Sequence, residues 1–175
     1  MSTDTISAEP ITDGRHDFDF FAGSWHVHHR RVTDALDSTC DEWVEFDGTC
    51  DARLILDGLG NTDGLRVPEL PAGGSLEGRT LRLFEPETGL WRIWWASTTR
   101  PGVLDEPVVG RFVDGIGTFE CADVVGGVSL LVRFLWSDIT PTSARWQQFF
   151  SFDDGASWHL NWIMDKTRIS DTAAD

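Results

Sequence analysis

The chain has 175 residues, enough for one domain with a single sizeable core and few for two. Fourteen basic residues against twenty-nine acidic ones give a formal charge of -15, which repels phosphate backbones and anionic lipid, so nucleic acid and membrane surfaces are set aside as partners. Met1 to Arg15 carries no apolar signal segment and no stretch reaches the roughly twenty apolar residues of a spanning helix, so a cytoplasmic location is expected.

Residues 1–15 are small and polar and read as a loose acidic and polar tail. His16 to Ala22 carries Phe18, Phe20 and Phe21 behind Asp17, an N-cap candidate, and predicts one short helical turn that plugs one end of the fold with its aromatics. Gly23-Ser24-Trp25 follows: the glycine permits the turn inward, and the indole two residues on is large enough to floor a cavity.

From Ser24 onward, period-two alternation and turn residues recur at a spacing that suits antiparallel strands. The strands are read at 24–33, 41–47, 50–57, 76–84, 90–98, 107–113, 117–124, 128–136, 143–152 and 157–166. Asp47-Gly48, Pro86 to Gly89, Asp114-Gly115, Gly126-Gly127 and Asp154-Gly155 supply hairpin chemistry between them. The piece from Gly58 to Ser75 is read as a long irregular loop and as the mouth of a pocket. About ten hairpin-linked strands must hide their edges, which predicts an all-β fold: a single antiparallel up-and-down β-barrel over residues 16–168, with 169–175 as a second loose tail. Eight or more strands leave room inside for a small ligand.

Nine Trp and eleven Phe with no Tyr suit a packed core or a ligand cavity. Cys40, Cys50 and Cys121 lack close-pair spacing and read as reduced thiols, with no disulfide framework or metal site.

If Trp25 points inward, Val27, His29 and Arg31 share its face while His26, His28 and Arg30 point out. His26-x-His28 has metal-ligand spacing, but on the outer wall, so no metal is assigned. His29 is the interior histidine, able to orient a ligand or act as a base, or else to sit hydrogen-bonded in the core. Arg133, flanked by apolar residues, is read as interior: it clamps a ligand carboxylate or pairs with Glu45, which shares a face with Trp43. Gln147 and Gln148 point to opposite faces, as do Trp94 and Trp95, so one of each pair faces inward; Gln148, Trp95 and Trp162 are carried with the cavity set. Ser151 to Trp158 matches a single Asp box, read as a hairpin turn in which Asp153 accepts backbone donors. No Gly-x-Ser-x-Gly elbow, P-loop, Rossmann pattern or His-Glu-x-x-His is present.

Gly23-x-Trp25 together with Arg168 resembles the two ends of a calycin-type barrel, and the strand count over about 18–168 resembles the fatty-acid-binding and nitrobindin-like members more than lipocalins with their long helix. Asp17 to Phe20, Gly60-Asn61-x-Asp63, Ser151 to Gly155 and Asn161-Trp162 make the string similar to a group of uncharacterised bacterial lipocalin-like proteins. The resemblance implies a structural trio of Gly23, Trp25 and Arg168, with the guanidinium over the indole face. Three functions follow as expectations: binding of a small, largely hydrophobic molecule in an aromatic-lined barrel; a cofactor-independent enzyme of isomerase or cyclase type using the same cavity; or, by similarity to nitrobindins, a haem barrel with His29 or His159 as axial ligand. The first two need no cofactor; a homodimer is left open.

Overall fold

The structure, a computed structural model, describes residues 13–174. The alternating stretches form ten strands: β1 (Gly23–Val32), β2 (Trp43–Ile55), β3 (Gly60–Val67), β4 (Leu76–Glu85), β5 (Leu90–Ser97), β6 (Val108–Val113), β7 (Ile116–Val125), β8 (Val128–Ser137), β9 (Ser143–Ser151) and β10 (His159–Ser170). Each pairs antiparallel with its sequence neighbours and β10 returns to β1, closing an up-and-down barrel with no free edge. The all-β barrel expected from alternation is the fold observed. Among the described residues no helix is long and apolar enough to cross a membrane.

Register fixes which side chains share the lumen. Trp25, Val27, His29 and Arg31 of β1 stand opposite Cys50, Gly48, Phe46 and Val44 of β2, and opposite Arg168, Lys166, Met164 and Trp162 of β10.

Two strand assignments need correction, and they offset each other in the count. Asp47-Gly48 is not a turn: β2 runs straight through it. A Cβ on Gly48 would come within 2.6 Å of the Arg66 carbonyl oxygen and 3.0 Å of Val67, so the glycine answers to a close approach inside the wall. The supposed loop at Gly60 to Gly64 is the strand β3. Its inward residues Asn61 and Asp63 are buried and polar, which hides the usual apolar alternation. Only 68–75 remains as a connection, and Leu70 from it does reach the mouth of the cavity.

At the closed end the chain makes two 3-10 turns, Gly14–His16 and Asp19–Phe21. Asp13 caps the first, its carboxylate accepting from the Arg15 amide at 3.1 Å, and the second, which carries the expected aromatics, starts from Phe18 with no side-chain cap, so Asp17 caps neither. Phe18 and Phe21 are 1% exposed, and full burial of each is worth about 2 kcal/mol. Phe18 meets Trp91 edge-on at 5.1 Å and Phe21 meets Trp136 at 5.0 Å. The Trp25 indole N–H donates to the Phe21 carbonyl at 2.9 Å, tying plug to wall.

Arg168 lies within β10, not after it, and its guanidinium sits 4.2 Å from the Trp25 ring centroid. It also donates to the carbonyls of Ala22 at 2.7 Å, Pro141 at 2.7 Å and Phe20. β10 runs on to Ser170, and the Ala174 amide donates to Ser24 and Asp51, so the C-terminal residues 169–174 pack along the barrel rather than leaving it. The expected N-terminal tail lies mostly outside the described residues, which take it up at Asp13.

Candidate functional site

Above the plug the lumen holds a cavity of about 240 Å³. Its shaft is apolar and aromatic: Ile93, Trp95, Phe134, Trp146, Phe150 and Trp162 project into it from four strands. The floor is polar and buried. Cys50, Asp63, Thr80, Arg82 and Lys166 line it beside Trp136.

The floor is built by parity. β10 sends Lys166 inward opposite Val27 of β1, and β3 and β4 send inward the paired polar residues Asp63 with Thr80 and Asn61 with Arg82. Arg82 Nη1 donates to Asp63 Oδ1 at 2.5 Å and to Asn61 Oδ1 at 2.9 Å, and the two charged side chains are 6% and 5% exposed. Thr80 Oγ1 donates to the other Asp63 oxygen at 3.2 Å, and the Cys50 thiol reaches it at 3.4 Å. Burial and the Asp63 carboxylate hold the Cys50 thiol well above its ordinary pKa. Breaking such a buried pair costs about 3–5 kcal/mol because the surviving charge is left unpaired.

Lys166 stands apart in this cluster. Among the described residues its Nζ has one hydrogen-bond partner, the Met164 thioether at 3.9 Å. Otherwise it faces the rings of Phe21 at 5.2 Å and Trp136 at 5.6 Å. Desolvation by complete burial pushes its pKa down; Cys50 and the Asp63 carboxylate oppose that shift, and the Arg82 charge adds to it.

Higher in the wall, His29 is fully buried and stacked on Phe46 with ring centroids 4.6 Å apart. Its Nδ1 accepts from the Trp162 indole N–H at 3.1 Å. Its Nε2 is buried without a partner beside Gly48, where an added Cβ would lie 3.3 Å away. Burial, with the Lys166 charge second, lowers its pKa to about 3, so the imidazole is neutral. On the neighbouring strands the Gln148 amide of β9 donates to Asn161 Oδ1 at 2.9 Å, Asn161 sitting where β10 bulges against β9. At the rim, Arg31 covers Trp162 at 4.5 Å and Arg100 pairs with Asp105 at 2.8 Å.

The structure brings Trp95, Gln148 and Trp162 to the cavity as lining residues. His29 points inward but lies in the wall, with neither ring nitrogen offered to the lumen, which removes the geometric basis for its use as a base or as a haem ligand. Trp43, Glu45 and Arg133 are corrections: all three belong to the outer face. Trp43 is 39% exposed, and Glu45 lies 3.4 Å from His28. Arg133 pairs with Glu120 at 2.6 Å and covers Trp158 at 3.7 Å, so its expected bond to Glu45 does not form. His26 and His28 share the Asp47 carboxylate on that same outer face, both at 3.1 Å. No group of three or more His, Cys, Asp or Glu side chains among the described residues is arranged to hold a metal. The Asp box is a turn as read: Asp153 accepts from the Ser157 amide at 2.8 Å and from the hydroxyls of Ser151 and Ser157 at 2.9 and 2.6 Å, and its pKa falls to about 2.

The floor residues Asp63, Thr80, Arg82 and Lys166 are absent from the set drawn from the sequence. Arg82 and Arg133 share one pattern, a cation among apolar strand residues, and only register separates inside from outside. One signal did lie open: Lys166 is the single lysine in the chain, all thirteen other cations being arginine. No family model matches the sequence, and no curated protein is significantly similar to it.

Proposed function

We propose that the chain binds a small, largely hydrophobic molecule in the lumen, apolar body in the aromatic shaft and polar head on the buried floor. The observation that carries this reading is the conjunction of an apolar shaft with a charged floor that has an amine left over after Arg82 and Asp63 have satisfied each other. Binding sites of this kind pair a mostly apolar lining with a few convergent polar groups. A calycin-like ancestry is part of the proposal; support for it comes from ten-strand closure and from Arg168 seated on Trp25. A cytoplasmic setting fits three cysteines that are all free.

The test uses 3-phenylpropanol as a probe small enough for the shaft, with tryptophan fluorescence as readout. Saturable quenching is expected from the native chain and not from Val132→Trp, which fills the lumen from β8. Equal quenching of both proteins would place the probe elsewhere and defeat the reading.

A further inference from the structure

Resting on that binding reading, we infer that Lys166 is a nucleophilic amine that condenses with a small apolar aldehyde or ketone held in the shaft, giving a Schiff base on the cavity floor. Four observations meet at one atom. The amine lines the cavity. It is buried and without an oxygen hydrogen-bond partner among the described residues, its one such contact being a thioether, and it lies over two aromatic faces. A second cation, Arg82, shares the Phe21 and Trp136 faces with it and is already committed to Asp63 and Asn61. Desolvation in an apolar pocket and a neighbouring cation are the two conditions that leave a lysine amine unprotonated and nucleophilic near neutral pH.

The composition sharpens the point. The chain's other thirteen Lys and Arg positions are all arginine, so the only primary side-chain amine is the one placed at the floor. A guanidinium would serve as well or better for a fixed ion pair, because its planar fork holds carboxylates bidentately. What arginine lacks is a lone pair for attack on carbon.

The step balances without a further reagent. The nitrogen lone pair forms the N–C bond while the carbonyl π pair moves to oxygen. The oxygen then leaves as water carrying both amine hydrogens, and C=N remains. On protonation the iminium cation lies near the Asp63 carboxylate and over the Phe21 and Trp136 faces, which already surround the ammonium position. Thr80, whose hydroxyl donates to Asp63, lines the same cavity.

The experiment incubates the full chain with 3-phenylpropanal and cyanoborohydride near neutral pH, then reads intact mass and peptide maps. One reduced adduct on Lys166 is expected, forming about tenfold faster than on the α-amino group, the reverse of the order their ordinary pKa values dictate. Lys166→Arg should lose that adduct and keep the one on the α-amino group. Should the arginine variant fail to fold, competition in the native protein decides instead: excess 3-phenylpropanol must slow the Lys166 adduct and leave the α-amino adduct unchanged. Binding of the alcohol with labelling confined to the N-terminus overturns the inference and spares the binding reading. Lack of both binding and Lys166 labelling removes the two together.

Discussion

His29 shows how far one side chain can be taken from parity alone. Its place on the inward face follows from Trp25 two turns of the pleat earlier, but its role depends on a Trp162 partner 133 positions away, which no local pattern reveals. Buried and neutral, it makes folding sensitive to acid. The folded imidazole resists protonation down to about 3, whereas the unfolded one takes a proton as pH falls through its ordinary 6.5. Its contribution is therefore complete above 6.5 and lost progressively between 6.5 and 3, about 2 kcal/mol of it between pH 7 and pH 5. Urea unfolding at those two pH values should show that loss in the native protein and not in His29→Gln. An equal loss in both would mean that the histidine titrates normally. Lys166 is the opposite case. Its uniqueness is plain in the composition, yet its burial follows only from the β1–β10 register, which sets it beside Val27 on the inward side.

Elements were legible where turn chemistry and alternation agreed, as at Asp114-Gly115 and Gly126-Gly127, and misread where a glycine serves packing. Gly48 and the polar β3 look like connections because the same residue types make turns, and the competing requirement, a close approach between strands, is non-local. Gly78 in β4 belongs to this class. A Cβ there would fall inside the Trp95 indole, so the bare backbone is what lets that ring lie back against the wall. Gly78→Ala pushes the ring into the shaft and should weaken 3-phenylpropanol binding about tenfold, roughly 1.4 kcal/mol by isothermal calorimetry. Unchanged affinity would show that Trp95 does not border the bound molecule. The closed end makes a complementary demand on stability. Arg168→Met keeps the length of the side chain but abandons the Trp25 face and three backbone carbonyls, and should cost about 3 kcal/mol in chemical unfolding. A loss under 1 kcal/mol would mean that the plug is held by its aromatics alone.

On the scale of the whole barrel, closure is uneven. β6 meets β5 only through Trp91 with Gly110, Arg92 with Val109 and Ile93 with Val108, so β5 from Trp94 to Ser97 rises past the end of its neighbour. The gap is bridged by residues 98–107, which fold back through the Asp105 amide to the Trp95 carbonyl at 2.9 Å and through the Arg100–Asp105 ion pair. That pair is half exposed at best, and such contacts hold about 1 kcal/mol or less. The same segment carries Thr99, Arg100, Asp105 and Glu106 to the cavity rim. The seam with the fewest paired residues and the rim of the cavity therefore coincide, and we predict that a ligand enters the shaft by this seam. Amide hydrogen exchange provides the measure. Amides of residues 98–107 and of β5 above Ile93 should exchange about a hundredfold faster than those of Val27 and His29, whose strand is paired along its length on both sides. Saturating 3-phenylpropanol should slow the seam and leave β1 unchanged. Protection that rises instead around the β1–β2 or β9–β10 connections would move the entrance to that side of the barrel.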